Sequence, residues 1–224
     1  MKALLFDSGT LINLSMNGLL NILEKMKEKF DGKFIITRAV KYEIIDRPLG
    51  VPRFELGAMR IQNLLNKGIL EMPSALDIKE EEIDLETESL MDLANHFIQI
   101  RGKWVQLVSE AEISCLALSD ILNKKSIETL IAIDERTTRC LCENPVRLEK
   151  IMSDKLHQRV TAVSRDLSPF SKYRFIRSTE LVFVAYKKGI IDLQGAKALE
   201  ALLYATKFSG SSISFEEIDI LKKL

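Results

Sequence analysis

Apolar positions recur along this chain with two different periods. Short unbroken runs, KALLF at residues 2–6, KFII at 33–36 and TLIAI at 129–133, read as buried strands. Between them the spacing is helical. Leu19, Ile22, Leu23, Met26 and Phe30 outline a helix from about Met16 to Lys29, and Asp31-Gly32 closes it with a turn. Thr37 suits the N-cap of RAVKYEII, which stops before Pro48. Leu56, Met59, Leu64 and Leu65 give a helix ended by Gly68, and GILEM then reads as a weak strand. Leu85, Leu93, Phe97 and Ile100 predict a helix up to Gly102, and Val108, Ala111, Cys115, Leu118 and Leu122 predict the next. Beyond residue 142 the chain reads as helical in NPVRLEKIMSDKLHQ, TELVFVAYKKG and the LQGAKALEALLYATKF that Asp192 opens, and SFEE at 214–217 is a capping box. Residues 160–174 carry no clear period.

Strands alternating with helices predict an α/β fold with a central, mostly parallel sheet. Right-handed crossovers place the C-terminal ends of such strands on one edge, where ligands of open sheets bind. Asp7 follows the first strand and Asp134 follows TLIAI, so both belong at that edge.

Composition narrows the class. Apolar residues make up 46% and charged residues 29% of 224 residues, enough for a real core under a charged surface. No apolar run reaches the ~18 residues of a membrane span, and the N-terminus does not read as a secretory signal. Cys115, Cys140 and Cys142 form no metal pattern and read as reduced thiols, so the expectation is a cytoplasmic protein without membrane contact. Two histidines, His96 and His157, leave little room for imidazole chemistry. Bases and acids balance at 32 each but segregate: residues 77–92 are acidic, whereas 147–177 are rich in bases that suit either a phosphate-binding surface or a wet helix face.

The stretch FDSGT invites comparison with phosphatases that attack through D-x-D-G-T. Aligned on Gly9-Thr10, however, this chain has Phe6 and Ser8 where the two carboxylates belong, so nucleophilic phosphatase chemistry is excluded. A second arrangement needs four acids brought together from distant segments. Asp7 ends the first strand, Glu43 shares a helical face with Val40 and Ile44, Glu110 shares one with Ile113, Ser114 and Ala117, and Asp134 ends a later strand. Glu112 is the neighbouring candidate in the third segment; spacing to Ile113 and Ala117 favours Glu110. Gathered at one edge, such acids repel one another unless a divalent cation is present, and hard oxygen donors suit Mg²⁺ or Mn²⁺. Each acid also has a plainer role. Asp7 and Asp134 suit N-caps, Glu43 stands four residues before Arg47 as an ion pair would, and Glu110 suits an exposed helix position.

FDSGTLINL, TRAVKYEII, SEAEISCLALS and LIAIDERTTR, in that order, resemble the four motifs of PIN-domain ribonucleases of prokaryotic, archaeal type. The resemblance covers residues 1–142 as a catalytic core. IRSTELVFVAYKKGII and the final helices, within 143–224, are similar to the helical C-terminal extension of some members. It implies a three-layer α/β/α fold and a Mg²⁺- or Mn²⁺-dependent endoribonuclease, of toxin–antitoxin or RNA-processing type. Asp7, Glu43, Glu110 and Asp134 would hold the metal, with Ser8, Thr10, Glu112, Glu135, Arg136 and Arg139 as supporting residues. RNA, an antitoxin or RNA-processing protein and a second copy of the chain are the partners it implies. The alternative is a PIN-like RNA-binding or scaffolding subunit with little catalysis.

Overall fold

In the computed structural model, which describes residues 1–224, β1 (Lys2–Phe6) runs directly into Asp7. The Asp7 carboxylate accepts from the Gly9 N–H at 3.1 Å and so caps α1 (Ser8–Met16) with no intervening loop. The helix expected over 16–29 starts later and is shorter, with a separate helix before it. α1 ends before Gly18, whose φ of +67° no ordinary residue adopts easily, and α2 covers Asn21–Lys27. β2 (Gly32–Ile35) is followed by α3 (Arg38–Lys41), capped by Thr37 and continued by a π-helical turn over Tyr42–Asp46. After α4 (Pro52–Asn66), GILEM contributes only Glu71, which pairs with the chain beside Ile35.

α5 (Glu80–Asn95) stops earlier than the spacing predicted. Ile98–Ile100 is a strand, β3, and forms a hairpin with β4 (Lys103–Trp104). Arg101 and Gly102 between them both have positive φ, 49° and 77°, the conformation that two-residue hairpin turns require. α6 (Glu110–Lys124) leads to β5 (Glu128–Ala132), α7 (Arg136–Glu143) and α8 (Leu148–Leu156), the last after a 3₁₀ turn at 145–147. The segment without a period holds β6 (Thr161–Ala162), which pairs with β3. β7 (Phe175–Ile176) and α9 (Ser178–Lys187) follow. α10 (Ala196–Phe208) begins behind Gly195 rather than at Asp192, and α11 (Phe215–Lys223) carries the expected capping box at Ser214 and Glu217.

The main sheet has the order β2-β1-β5-β7, and all three pairings are parallel. The fold is α/β/α in three layers. α6 lies against β1 and β5 with α3 and α5, while α1 and α2 pack with α9 on the other side. One apolar cluster joins Leu5, Phe6, Ile35 and Ile131 of the sheet to Leu11 and Leu14 of α1, Leu118 of α6 and Val182 of α9. Through β7 alone, residues 143–224 add one short strand to the sheet, and α9 packs with α1 and α2 on one side of it. No helix is long and apolar enough to cross a membrane.

Candidate functional site

From β1 the chain moves outward to β2, then crosses back to β5 and on to β7. The reversal falls between β1 and β5, where an open parallel sheet leaves a crevice at its C-terminal edge. Asp7 stands there with only 2% of its surface exposed, and its N–H donates to the Ala132 carbonyl at 2.9 Å.

Asp7 is held as an uncomfortable anion. Burial raises its pKa most, and the Glu112 charge adds to this. The N–H groups of Gly9 and Ser8 pull the other way, Glu43 pushes up again, and the result is about 7. Burial likewise raises Glu112. Hydrogen bonds from Thr138 and the Ser109 N–H oppose the rise, and the charges of Glu135 and Glu43 reinforce it. Asp7, Glu43 and Glu112 thus share one field, and none of the three forms an ion pair with a base.

Local structure explains these placements. Glu43 lies in the π-helical turn, a rare geometry that recurs at functional sites. The wider turn carries residues four apart off a common line, and the Glu43–Arg47 pair that an α-helix would favour does not form. Thr37 Oγ1 contacts Ser114 Oγ at 2.6 Å and ties the start of α3 to α6, fixing Glu43 relative to Glu112. Glu112 closes a capping box: its carboxylate accepts from the Ser109 N–H at 3.1 Å, and Ser109 Oγ accepts from the Glu112 N–H at 3.3 Å. Ser109→Ala should cost about 1 kcal/mol in urea unfolding and loosen Glu112; an unchanged midpoint would show that the box contributes nothing.

The third acid at this edge is therefore Glu112, not Glu110. Glu110, the first residue of α6, is exposed on the side of Arg38. Apolar spacing misled because α6 is buried on nearly every side from Ala111 to Leu122, so each position has buried neighbours at three and four residues. The Ser109-x-x-Glu112 pattern was the legible signal.

Asp134 has structural partners of its own. It is a neighbour of Asp7: a β-carbon placed on Gly9 would lie 3.2 Å from Asp7 Oδ2 and 4.0 Å from Asp134 Cβ. Its oxygens, however, face α1 and the C-terminal helices. Oδ1 accepts from the Ser178 N–H at 2.8 Å and Ser211 Oγ at 2.9 Å, and Oδ2 accepts from Asn13 Nδ2 at 3.2 Å. Glu135 comes nearer to the acidic group. It caps α7 through the Thr138 N–H at 2.9 Å, while Thr138 Oγ1 donates to Glu112 at 2.6 Å, and Lys155 lies 3.6 Å from Glu135.

Ser8 Oγ reaches Asp7 Oδ1 only at 3.4 Å, and Thr10 Oγ1 is buried without a partner. Arg139 pairs with Glu143 at 3.1 Å and Arg136 is exposed; neither engages the acids. Cys115 lies beneath the group and donates to the Phe6 carbonyl at 3.6 Å. Burial and the charges of Asp7, Glu112 and Glu43 hold it as a thiol, so it is no nucleophile.

The donor set fits a hard divalent cation in chemistry: three clustered carboxylates without a basic partner, beside an orphan hydroxyl. No three acidic, thiol or imidazole side chains stand at ligating geometry to one another, so a closed coordination shell is not preformed. No family model, curated protein or solved structure matches the chain.

Proposed function

We propose that the protein is a divalent-metal-dependent endoribonuclease of PIN-like type, with Asp7, Glu43 and Glu112 as the acids that would hold Mg²⁺ or Mn²⁺. The observation that carries this reading is Asp7, a carboxyl driven to about pH 7 by burial and by two like charges at the switch point of a parallel sheet. A bound Mg²⁺ or Mn²⁺ would supply water activation and neutralise charge on a phosphodiester. The chain's own part is positional. Asp7 is fixed by the Gly9 N–H, Glu112 by Ser109 and Thr138, and Glu43 by the contact of α3 with α6. Glu135, linked to Glu112 through Thr138, contributes further negative field at the outer side. A cytoplasmic setting and an antitoxin or RNA-processing partner belong to the same proposal.

The test is cleavage of a labelled single-stranded RNA in Mn²⁺, Mg²⁺ or EDTA. Cutting should require the metal and fall by two orders of magnitude or more in Asp7→Asn and Glu112→Gln, the scale of losing an essential electrostatic group. Glu110→Gln should cut like the wild type. Equal loss in Glu110→Gln and Glu112→Gln would sink the assignment of the third acid. The alternative is a PIN-like RNA-binding or scaffolding subunit with little catalysis. An inert wild type that still binds RNA in EDTA would establish that one.

A further inference from the structure

α7 has two working faces. Thr138 turns toward Glu112, whereas Arg136, Arg139, Cys140 and Glu143, spaced three, four and seven residues from the first, line a separate cavity of about 510 Å³. The opposite wall comes from Arg177 at the N-cap of α9, Lys207 near the end of α10, Ser212 in the loop after it and Glu217 of α11. Arg147, from the turn before α8, stands at the lip. The cavity thus collects five basic side chains, Arg136, Arg139, Arg147, Arg177 and Lys207, against two acids, Glu143 and Glu217.

The acids do not use up the bases. Glu143 takes one nitrogen of Arg139 at 3.1 Å, and Glu217 shares Arg177 with Glu180, at 2.9 and 2.5 Å. Lys207 donates to the Ile213 carbonyl. Arg136 and Arg147 have neither an ion pair nor a side-chain hydrogen bond within the protein, and both line the cavity beside Cys140. Three further donors are buried with nothing to bond: Arg139 Nε, Arg177 Nε and Ser212 Oγ. The Arg177 side chain is only 7% exposed. An unpaired buried donor costs roughly 1–3 kcal/mol, and all three belong to residues that line the cavity.

We propose that this cavity is a binding site for a phosphomonoester. Guanidinium groups present fork-shaped donors that match phosphate oxygens, and the volume lies within the roughly 300–1,000 Å³ of small-molecule sites. Only three of the fourteen lining residues are hydrophobic and none is aromatic, so the wall offers no platform for a nucleobase; the phosphate and a small polar carrier are what it recognises. The site is independent of the carboxylate group and of the nuclease reading. Asp134 links the two regions only as structure, since Ser211 on the cavity wall donates to it.

Calorimetric titration of the full chain in EDTA tests this, because EDTA removes any phosphate binding through a metal at Asp7. Ribose 5-phosphate and inorganic phosphate should bind, and ribose should not. Arg136→Gln and Arg147→Gln should each weaken binding by roughly tenfold or more, and the double variant should lose it. Both side chains are exposed and unpaired, so these variants fold. A 5′-phosphorylated oligoribonucleotide preferred over its 5′-hydroxyl twin, with Arg147→Gln erasing the preference, would identify the ligand as a strand end. Binding of ribose 5-phosphate without that preference would identify a free small phosphate. The proposal is overturned if ribose and ribose 5-phosphate behave alike, or if the double variant binds as the wild type does.

Discussion

In EDTA, the chain should lose stability as the pH rises from about 4 to about 7, and Asp7→Asn should abolish most of that loss. The Asp7 carboxyl titrates near 7 in the folded protein against an ordinary value of 3.8. Between those values the native state holds a proton that the unfolded chain has released, so unfolding releases it and each rise in pH favours unfolding. Above about 7 both states are ionised and the penalty is constant. At about 1.4 kcal/mol per pKa unit, the full effect is on the order of 4 kcal/mol. Glu112 is raised as well and contributes with the same sign. Urea unfolding at pH 5 and pH 8 should thus show the wild type weaker at pH 8, with Asp7→Asn losing much less and the more stable of the two at pH 8. Mn²⁺ should reverse the pattern, raising the wild-type melting temperature strongly at pH 8 and little at pH 5, because metal and proton compete for the same oxygens. A wild-type profile parallel to that of Asp7→Asn would show that the buried acid carries no such strain.

Asp134→Ala should be among the most damaging substitutions in the protein, with a loss of about 3 kcal/mol or more. Removing the carboxylate strands three donors in a buried place: the Ser178 N–H, the Ser211 hydroxyl and one proton of the Asn13 amide. Those donors belong to α9, the loop after α10, and α1, so the loss spreads over three elements. Asn13 keeps its second bond, to the Thr206 carbonyl at 2.8 Å, which limits the damage on that side. Asp134→Asn should cost less, since its carbonyl oxygen still accepts while its amide faces donors. Thermal melting of both variants beside RNA cleavage by Asp134→Asn separates two roles. A large melting shift identifies the structural node described here. An unshifted melt with abolished cleavage would return Asp134 to the metal-holding group that the motif pattern suggested.

The outline of the candidate site was legible because its signals are local. An acid directly after a strand, as at Asp7, needs only the strand's end and the parallel topology to be placed at the sheet edge. Thr37 and Ser214 announced their helices by capping chemistry, which involves residues two or three apart. Choosing between Glu110 and Glu112 was different, since a helix buried all round has no apolar stripe to read. β3 and β7 escaped for a related reason. Three residues and two residues are too few to show a period; β3 is completed by the distant β6 beside its hairpin partner β4, and β7 pairs only with the distant β5.

The amino-acid sequence by itself therefore determined the alternation of strands and helices, the parallel sheet and the arrival of Asp7 at its C-terminal edge, since propensity, period and capping act over a few residues. Tertiary structure alone decided which acids meet. Glu43 reaches the group through a π turn, Glu112 through a buried capping box, and Asp134 turns away because three donors from distant elements converge on it. The arginine cavity is likewise a tertiary product, for its walls come from α7, the N-cap of α9, the end of α10, the loop after it and α11, and no local pattern relates them. Local energies choose the elements; desolvation and hydrogen bonding among residues far apart in sequence choose which side chains face one another.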